Sequence, residues 1–267
     1  MRRAWLFITL LAGCDAVFGL DGRLPPGALA GDEDGDGTLD DEDPCPHIPN
    51  QSSIDEDNDG VPRDCDPDDS DGSTATRWFS LEAGSLDDAF VLSGMGTLTA
   101  DGFDLGGHGV ESSLLFEVTA RTANIDIGFE ILSNSVEDDH DHPWAELGVH
   151  TVVTRFTQET MRGSVCLFGV DDIHDDHDGP TAYLESKEGE QTPSRLTVAS
   201  PLNGSKGRLY QFRTPERVRC GLLRNGTQLA TTQYDVTHTF DTGAIGISAD
   251  VVVARLTHIW IAWQTTL

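Results

Sequence analysis

The sequence predicts an all-β fold, a sandwich or a barrel, over residues 75–267. Short apolar and β-branched runs follow one another with turn-forming residues between them. Asn225-Gly226 lies between two such runs, and Asn-Gly is the strongest short-range hairpin signal because the tight turn needs positive φ at both central residues. No segment keeps a helical hydrophobic period over about 11 residues or more.

The runs can be taken in chain order. Ser113–Thr119 (SLLFEVT) and Asp126–Leu132 (DIGFEIL) read as two early strands. Glu146–Phe156 (ELGVHTVVTRF) follows, with Gly148 marking a bulge. Val165–Val170 (VCLFGV) and Leu209–Phe212 precede Arg217–Arg224 (RVRCGLLR), which the Asn-Gly turn joins to Thr227–Thr232. Ala244–Ser248 and Ile259–Trp263 close the chain. The span of 193 residues is long enough to bury one core. Trp78, Trp260 and Trp263 fall in strand-like runs, where tryptophan packs. Glu185-Ser-Lys-Glu188 and Glu188-Gly-Glu190 read as a solvated loop.

Arg217-Val-Arg-Cys-Gly-Leu-Leu-Arg-Asn-Gly-Thr-Gln-Leu229 reads as strand, turn, strand. Gly243-Ala-Ile-Gly-Ile-Ser248 and Ala254-Arg-Leu-Thr-His-Ile-Trp-Ile261 read as a closing pair, and Gly106–Thr119 as an early apolar stretch. The set resembles the concanavalin A-like, or laminin G-like, jelly-roll superfamily over most of residues 75–267. The resemblance implies a two-sheet sandwich, one face of which often holds sugars or proteins. A fold does not by itself give a function.

Ahead of the domain stands a different kind of sequence. Residues 31–72 carry 17 acidic side chains and one basic one, so about −16 of the chain's net −29 lies there. Two loops, DEDGDGTLDDED and DEDNDGVPRDCD, begin 23 residues apart. Calcium takes about 6–8 oxygen ligands, and aspartates at loop positions 1, 3 and 5 with glycine at 6 turn a backbone around such an ion. The first loop offers Asp32, Asp34 and Asp36, Gly37 at the turn, the Thr38 carbonyl, then Asp40 and Asp43. The second offers Asp55, Asp57 and Asp59, Gly60, the Val61 carbonyl and Asp66. Its ninth position is Arg63, which cannot ligate a cation, and Asp64 is the substitute expected there, so the Asp32 loop is expected to bind more tightly. Position 12 is aspartate in both, and Pro25-Pro26-Gly27 and Pro44-Cys45-Pro46 break helices at the flanks, which excludes an EF-hand pair. The plainer reading is an acidic disordered linker, but such a linker would not repeat the pattern.

The run through Cys45-Pro46, Asn50, the second aspartate loop and Cys65-Asp66 resembles the thrombospondin type 3 repeat over about 40 residues. It departs from that family at Ser52-Ser53 and Pro62-Arg63. The resemblance implies calcium as cofactor, little regular secondary structure and a Cys45–Cys65 disulfide. Without calcium the segment is expected to be disordered; with it, a compact spacer.

Met1-Arg2-Arg3 followed by the apolar Ala4–Ala12 reads as an export signal, too short for the roughly 20 residues of a membrane span. Leu11-Ala-Gly-Cys14 resembles the bacterial lipobox, which implies cleavage before Cys14 and its lipidation; an ordinary secretory signal is the alternative. The expected order is signal peptide 1–13, linker 14–30, calcium-binding repeats 31–72 and sandwich 75–267, held at the cell envelope by the lipid. Asp15 resembles an inner-membrane retention signal that does not hold in all lineages, which leaves the choice of membrane open. With Cys14 lipidated, Cys166 and Cys220 remain, either as a second bridge or as two buried thiols.

No two-carboxylate glycosidase run, nucleophile elbow, phosphate loop or His-Glu-x-x-His motif is present. Glu137-Asp-Asp-His140-Asp-His142-Pro-Trp144 and Asp171-Asp-Ile-His174-Asp-Asp-His177-Asp178 contain metal-ligating residue types. They also read as two exposed polar loops, with Trp144 placed to stack on a sugar ring. The net charge argues against nucleic acid as a partner. The expected function is a lipid-anchored envelope protein whose sandwich binds a glycan or a protein. The alternatives are a glycoside hydrolase or lyase with dispersed carboxylates, and a structural envelope protein.

Overall fold

Among the described residues, alternation of apolar and polar residues builds fourteen antiparallel strands, and the side chains that point between them make one core. The computed structural model describes residues 37–39, 42–45, 54–70, 72–81, 86, 90–107, 109–134, 144–155, 162–171, 181–188, 191–198, 202–214, 216–224, 227–236 and 243–265. The strands are β1 (Thr74–Ser80), β2 (Phe90–Ser93), β3 (Gly96–Thr99), β4 (Gly102–Gly106), β5 (Ser112–Asn134), β6 (Trp144–Arg155) and β7 (Arg162–Asp171). They continue with β8 (Thr181–Glu188), β9 (Gln191–Thr197), β10 (Lys206–Arg213), β11 (Arg217–Arg224), β12 (Thr227–Asp235), β13 (Gly243–Asp250) and β14 (Val252–Thr265). No helix of the described residues is long and apolar enough to cross a membrane.

The strands form two layers that share β5. Its first half, Ser112–Ala120, pairs with β2 on one edge and β13 on the other, and the first layer runs β2-β5-β13-β6-β7-β8-β9. Its second half pairs with β10 from Ala123 and with β14 from Ala120, and the second layer runs β12-β11-β10-β5-β14. There β14 carries β4 and β1 end to end along its other edge, and β3 pairs with β4. The crossing point is Ala120, which faces Gly243 of β13 and Thr265 of β14. The two early runs expected from the sequence are therefore one 23-residue strand. The intervening Ala120-Arg-Thr-Ala-Asn-Ile125 contains no glycine or proline to end a strand, and fully buried Ala120 and Ala123 offer little bulk where the chain changes layer.

Between the layers, Ile125, Ile127, Phe129 and Ile131 of β5 meet Leu147 and Val149 of β6 and Phe168 of β7. The rings of Phe129 and Phe168 lie 5.6 Å apart across the gap. The Glu185 segment, expected as a solvated loop, is strand β8. Ala182 and Leu184 join the core, which turns Tyr183 and Glu185 to the outer face, where they are 2% and 4% exposed.

A disulfide joins Cys166 of β7 to Cys220 of β11, with Cα atoms 5.6 Å apart. Face-packed sheets stand about 10 Å apart, so the bridge sits where the layers converge. Arg213 Nε of β10 donates to Ser164 Oγ of β7 at 3.1 Å, and Tyr234 Oη of β12 donates to the Lys187 carbonyl of β8 at 2.9 Å along the same side. The bridge spans 54 residues of sequence, and by the loop-entropy model removing it costs about 4 kcal/mol. The double variant Cys166→Ala/Cys220→Ala is expected to lose that much stability, read from urea unfolding midpoints, with the all-β circular dichroism spectrum retained.

Candidate metal centre and polar sheet face

The second aspartate loop has the backbone its sequence implies. Gly60 lies at φ 93° and Gly37, its counterpart in the first loop, at φ 99°, a region that glycine enters without strain. Asp55 turns the loop inward: its Oδ1 accepts from the Asn58 amide at 2.7 Å and its Oδ2 from the Gly60 amide at 3.0 Å. Asp57 Oδ1 accepts from the Asp59 amide at 3.3 Å, and Asp59 Oδ1 from the Val61 amide at 2.9 Å. These bonds leave the opposite oxygens of Asp57 and Asp66 buried with no protein partner.

Two carboxylate clusters result. Asp57, Asp59 and Asp66 each place an oxygen within 4.8 Å of the others, and so do Asp55, Asp57 and Asp69. Calcium–oxygen distances run about 2.3–2.6 Å, so two ligands of one ion stand at most about 5 Å apart. The donor set therefore fits an oxygen-seeking dication, with Asp57 common to both clusters. Burial, with the charges of Asp59 and Asp57 adding, pushes the Asp66 carboxyl up to about 6. A bound cation would supply the opposite charge that lets these groups ionise together.

Asp64, the substitute expected for Arg63, belongs to neither cluster. Asp69 stands in the Asp55–Asp57 cluster, and Arg63 pairs with Glu56 and with Asp69 at 2.9 Å. Asp69 lies beyond the twelve-residue loop and was missed; its only signal is the Asp68-Asp69 pair after Pro67. In the first loop, Asp43 is buried and accepts from the Cys45 amide at 2.7 Å. Thr38 is described as well, while Asp32, Asp34, Asp36 and Asp40 lie outside the described residues, as does Cys14.

The segment was expected to act as a spacer; its described part packs on the outer face of the second layer. Cys45 and Cys65, joined by a disulfide, and Val61 form a cluster with Trp260 and Ala262 of β14. The Asn124 side chain of β5 donates to the Cys65 carbonyl at 2.8 Å. Thr74, at the start of β1, ties the centre to the sandwich: its amide donates to Asp59 Oδ2 at 2.9 Å and its hydroxyl to Asp66 Oδ1 at 3.1 Å.

The outer face of the first layer carries a second polar array. Registers place Glu146, Gly169 and Tyr183 on one line across β6, β7 and β8, and Gly148, Leu167, Glu185 and Arg195 on the next. Tyr183 Oη donates a short hydrogen bond to Glu146, and Arg195 pairs with Asp171 and Glu185 while lying 3.6 Å from the Tyr183 ring centre. Gly169 makes the Glu146–Tyr183 contact passable, since a Cβ there would stand 2.9 Å from both side chains. Burial pushes the Glu146 carboxyl above its ordinary value, and burial with the Glu146 charge does the same to the Tyr183 phenol. His150 is fully buried, 2.7 Å from Ser248 Oγ; burial, with the charge of Lys187 adding, lowers it to about 3.

At the edge of this array Trp144 is 40% exposed and donates from Nε1 to Asp250 Oδ2 at 3.2 Å. His140, His142, His174 and His177 lie outside the described residues. Trp144 and Asp171, at which the two histidine-bearing connections meet the sheet, are register partners. Glu146, Tyr183, Glu185 and Arg195 were missed as a group. The legible signal was the alternation of Ala182 and Leu184 with Tyr183 and Glu185.

No protein-family model matches the chain, and no curated protein matches it. Among solved structures it is similar to the VIP36 exoplasmic/lumenal domain in its Ca2+/Man2-bound form. The TM-score is 0.53 at 10% identity, covering 73% of this chain and 88% of that one. The Ca2+/Man3GlcNAc-bound form of the same domain gives 0.51 at 11% identity, covering 67% and 85%. Peanut lectin with a 9mer peptide gives 0.51 at 11%, covering 71% and 97%. At these identities the likeness is one of fold: the chain contains a legume-lectin-like, concanavalin A-like jelly-roll sandwich.

Asp66→Asn is expected to weaken calcium binding by at least about tenfold in isothermal titration calorimetry, while Asp64→Asn changes it by less than about twofold. His150 is neutral when folded and titrates near 6.5 when unfolded. Its contribution to stability is therefore whole above about pH 6.5 and falls as pH drops towards about 3, by about 1.4 kcal/mol per unit. His150→Gln should remove that slope from urea unfolding compared between pH 7 and pH 5. The raised carboxyls of Asp66 and Glu146 act in the opposite sense and cancel in the parent–variant difference.

Proposed function

We propose that the chain is a lipid-anchored protein of the bacterial cell envelope. Its calcium-holding segment is seated on a β-sandwich whose first sheet binds a glycan. The observation that carries the reading is the outer face of that sheet. Trp144 stands part-exposed beside Asp250, next to the fixed donors and acceptors of Glu146, Tyr183, Asp171 and Arg195. An exposed indole presents a flat apolar surface to the C–H face of a sugar, and rigid carboxylates accept from its hydroxyls. The VIP36 domain of like fold has been solved with Ca2+ and Man2, which supports a sugar as the ligand class. The lipobox-like Leu11–Cys14 and the paired cysteines support an exported, tethered protein.

A hydrolase is the second reading, favoured by one arrangement. Glu146 and Glu185 share a face, two strands apart and offset by one register line. Glu146 is shifted towards its protonated form by burial, while Glu185 pairs with Lys187 and Arg195. One acid and one carboxylate are what inverting glycoside hydrolysis uses.

On a glycan array in calcium buffer, mannose-containing and other neutral oligosaccharides are expected to bind. Trp144→Ala should weaken the best of them about tenfold, the equivalent of about 1.4 kcal/mol of stacking. An array with no bound glycan would remove the reading in favour of a protein ligand or a purely structural role. Release of shortened products, abolished by Glu146→Gln, would assign the hydrolase instead.

A further inference from the structure

The acidic segment does not lie flush on the second layer. Between them is a cavity of about 400 Å³, on the side of the sandwich opposite the Trp144 face, and within the size range of small-ligand sites. Phe212 of β10 and Asn124 of β5 form the floor, Arg219 of β11 and Gln233 of β12 one wall, and Arg63 and Asp66 of the acidic segment the other. The second wall is fixed in place by the Asn124–Cys65 hydrogen bond and by the packing of Val61 and Cys65 on Trp260.

The guanidinium groups around this space are not equivalent. Arg63 is held by Glu56 and Asp69, and Arg217 by Asp235 at 3.3 Å. Arg219 has no carboxylate partner among the described residues; its guanidinium lies over Phe212 at 5.0 Å and over Tyr210 at 5.7 Å. Asp64, Asp66 and Glu216 line the same space, but among the described residues none of them pairs with Arg219, which leaves its hydrogen-bonding fork to offer. That fork matches the two oxygens of a carboxylate, and the ring beneath fixes its plane.

The remaining lining narrows the ligand. Glu216 and Gln233 face the same space and accept from hydroxyl donors. A multiply charged anion would meet the field of a chain of net charge −29, so one negative charge suits the site better than two. One carboxylate together with several hydroxyls, on a body small enough for the cavity, is the chemistry of a sugar acid. We propose that the cavity between the acidic segment and the second sheet binds a uronic acid, free or at the end of a polysaccharide. Arg219 takes the carboxylate, and Glu216 and Gln233 take the hydroxyls. This site is separate from the Trp144 face and does not depend on it.

The test is isothermal titration of the full chain in calcium buffer with galacturonic acid, tri-galacturonate, galactose and inorganic sulfate. Galacturonic acid is expected to bind saturably, galactose about tenfold more weakly or not at all, and sulfate without competing effectively. Because a charge-assisted fork is lost, Arg219→Gln should lower galacturonate affinity at least about tenfold. Arg219→Lys should fall between the two, and Trp144→Ala should leave the affinity unchanged. Tighter binding of the trimer assigns the polymer end as the ligand, and equal binding assigns the free acid. Equal binding of galactose and galacturonic acid, effective competition by sulfate, or an unchanged Arg219→Gln overturns the proposal. So does a loss with Trp144→Ala, which would move the sugar to the first sheet. Should Arg219→Gln fail to fold, Glu216→Gln carries the test, with weaker galacturonate binding expected and an unaltered affinity overturning it.

Discussion

The organisation of this molecule rests on one strand that belongs to two sheets. Because β5 pairs through its first half with β2 and β13 and through its second half with β10 and β14, the layers cannot slide independently of each other. The pleat sends alternate residues of β5 inward as Ile125, Ile127, Phe129 and Ile131, and leaves Asn124 and Asp126 on the opposite side. Asp126 there meets Arg208 in a part-buried two-pronged ion pair, and Asn124 reaches the acidic segment. Fixing the register of β5 thus fixes the core and the seat of the aspartate loop together, and the Cys166–Cys220 bridge holds the far side of the same sandwich closed.

The aspartate segment has too little apolar surface to order itself, and its described part is ordered by what it leans on. Val61 and the Cys45–Cys65 bridge spend their small apolar area on Trp260 and Ala262. The carboxylates then converge without enough protein donors to satisfy them, which is the state a hard cation relieves. Thr74 closes the circuit, since one residue at the start of β1 donates to both Asp59 and Asp66. In the proposed calcium-bound form, the ion and the first strand of the sandwich would support each other.

The two outer faces of the sandwich are used differently. On the second layer, Trp260 and Phe212 are part of the packing beneath the acidic segment. On the first layer, buried Tyr183, Glu185 and Asp171 are answered by half-buried Glu146 and exposed Arg195: Tyr183 by Glu146, and Asp171 and Glu185 by Arg195. Such a network is costly unless every member is satisfied, and its rigidity is what a ligand-binding surface needs.

Much of this was written in local sequence. The all-β class followed from strand-length apolar runs and the Asn225-Gly226 turn, since a strand's period is a local property. The glycines at loop position 6 followed too: Gly37 and Gly60 both lie at positive φ, and around Gly60 the aspartates of the second loop converge. The unbroken length of β5, the strand character of Glu185 and the approach of Asp69 to Asp55 and Asp57 were not legible. Each depends on which neighbour pairs with a segment, and Tyr183-Leu184-Glu185-Ser186 is polar enough to pass for a loop until β7 lies beside it. The sequence by itself determined the composition of the parts: a strand-rich domain, an acidic segment with two aspartate-glycine loops, and five cysteines. Tertiary structure alone decided that Cys166 meets Cys220, that the acidic segment lies on the sandwich, and that Glu146, Tyr183 and Arg195 share a face. Those are contacts between residues far apart in the chain, set by strand register, which no local pattern specifies.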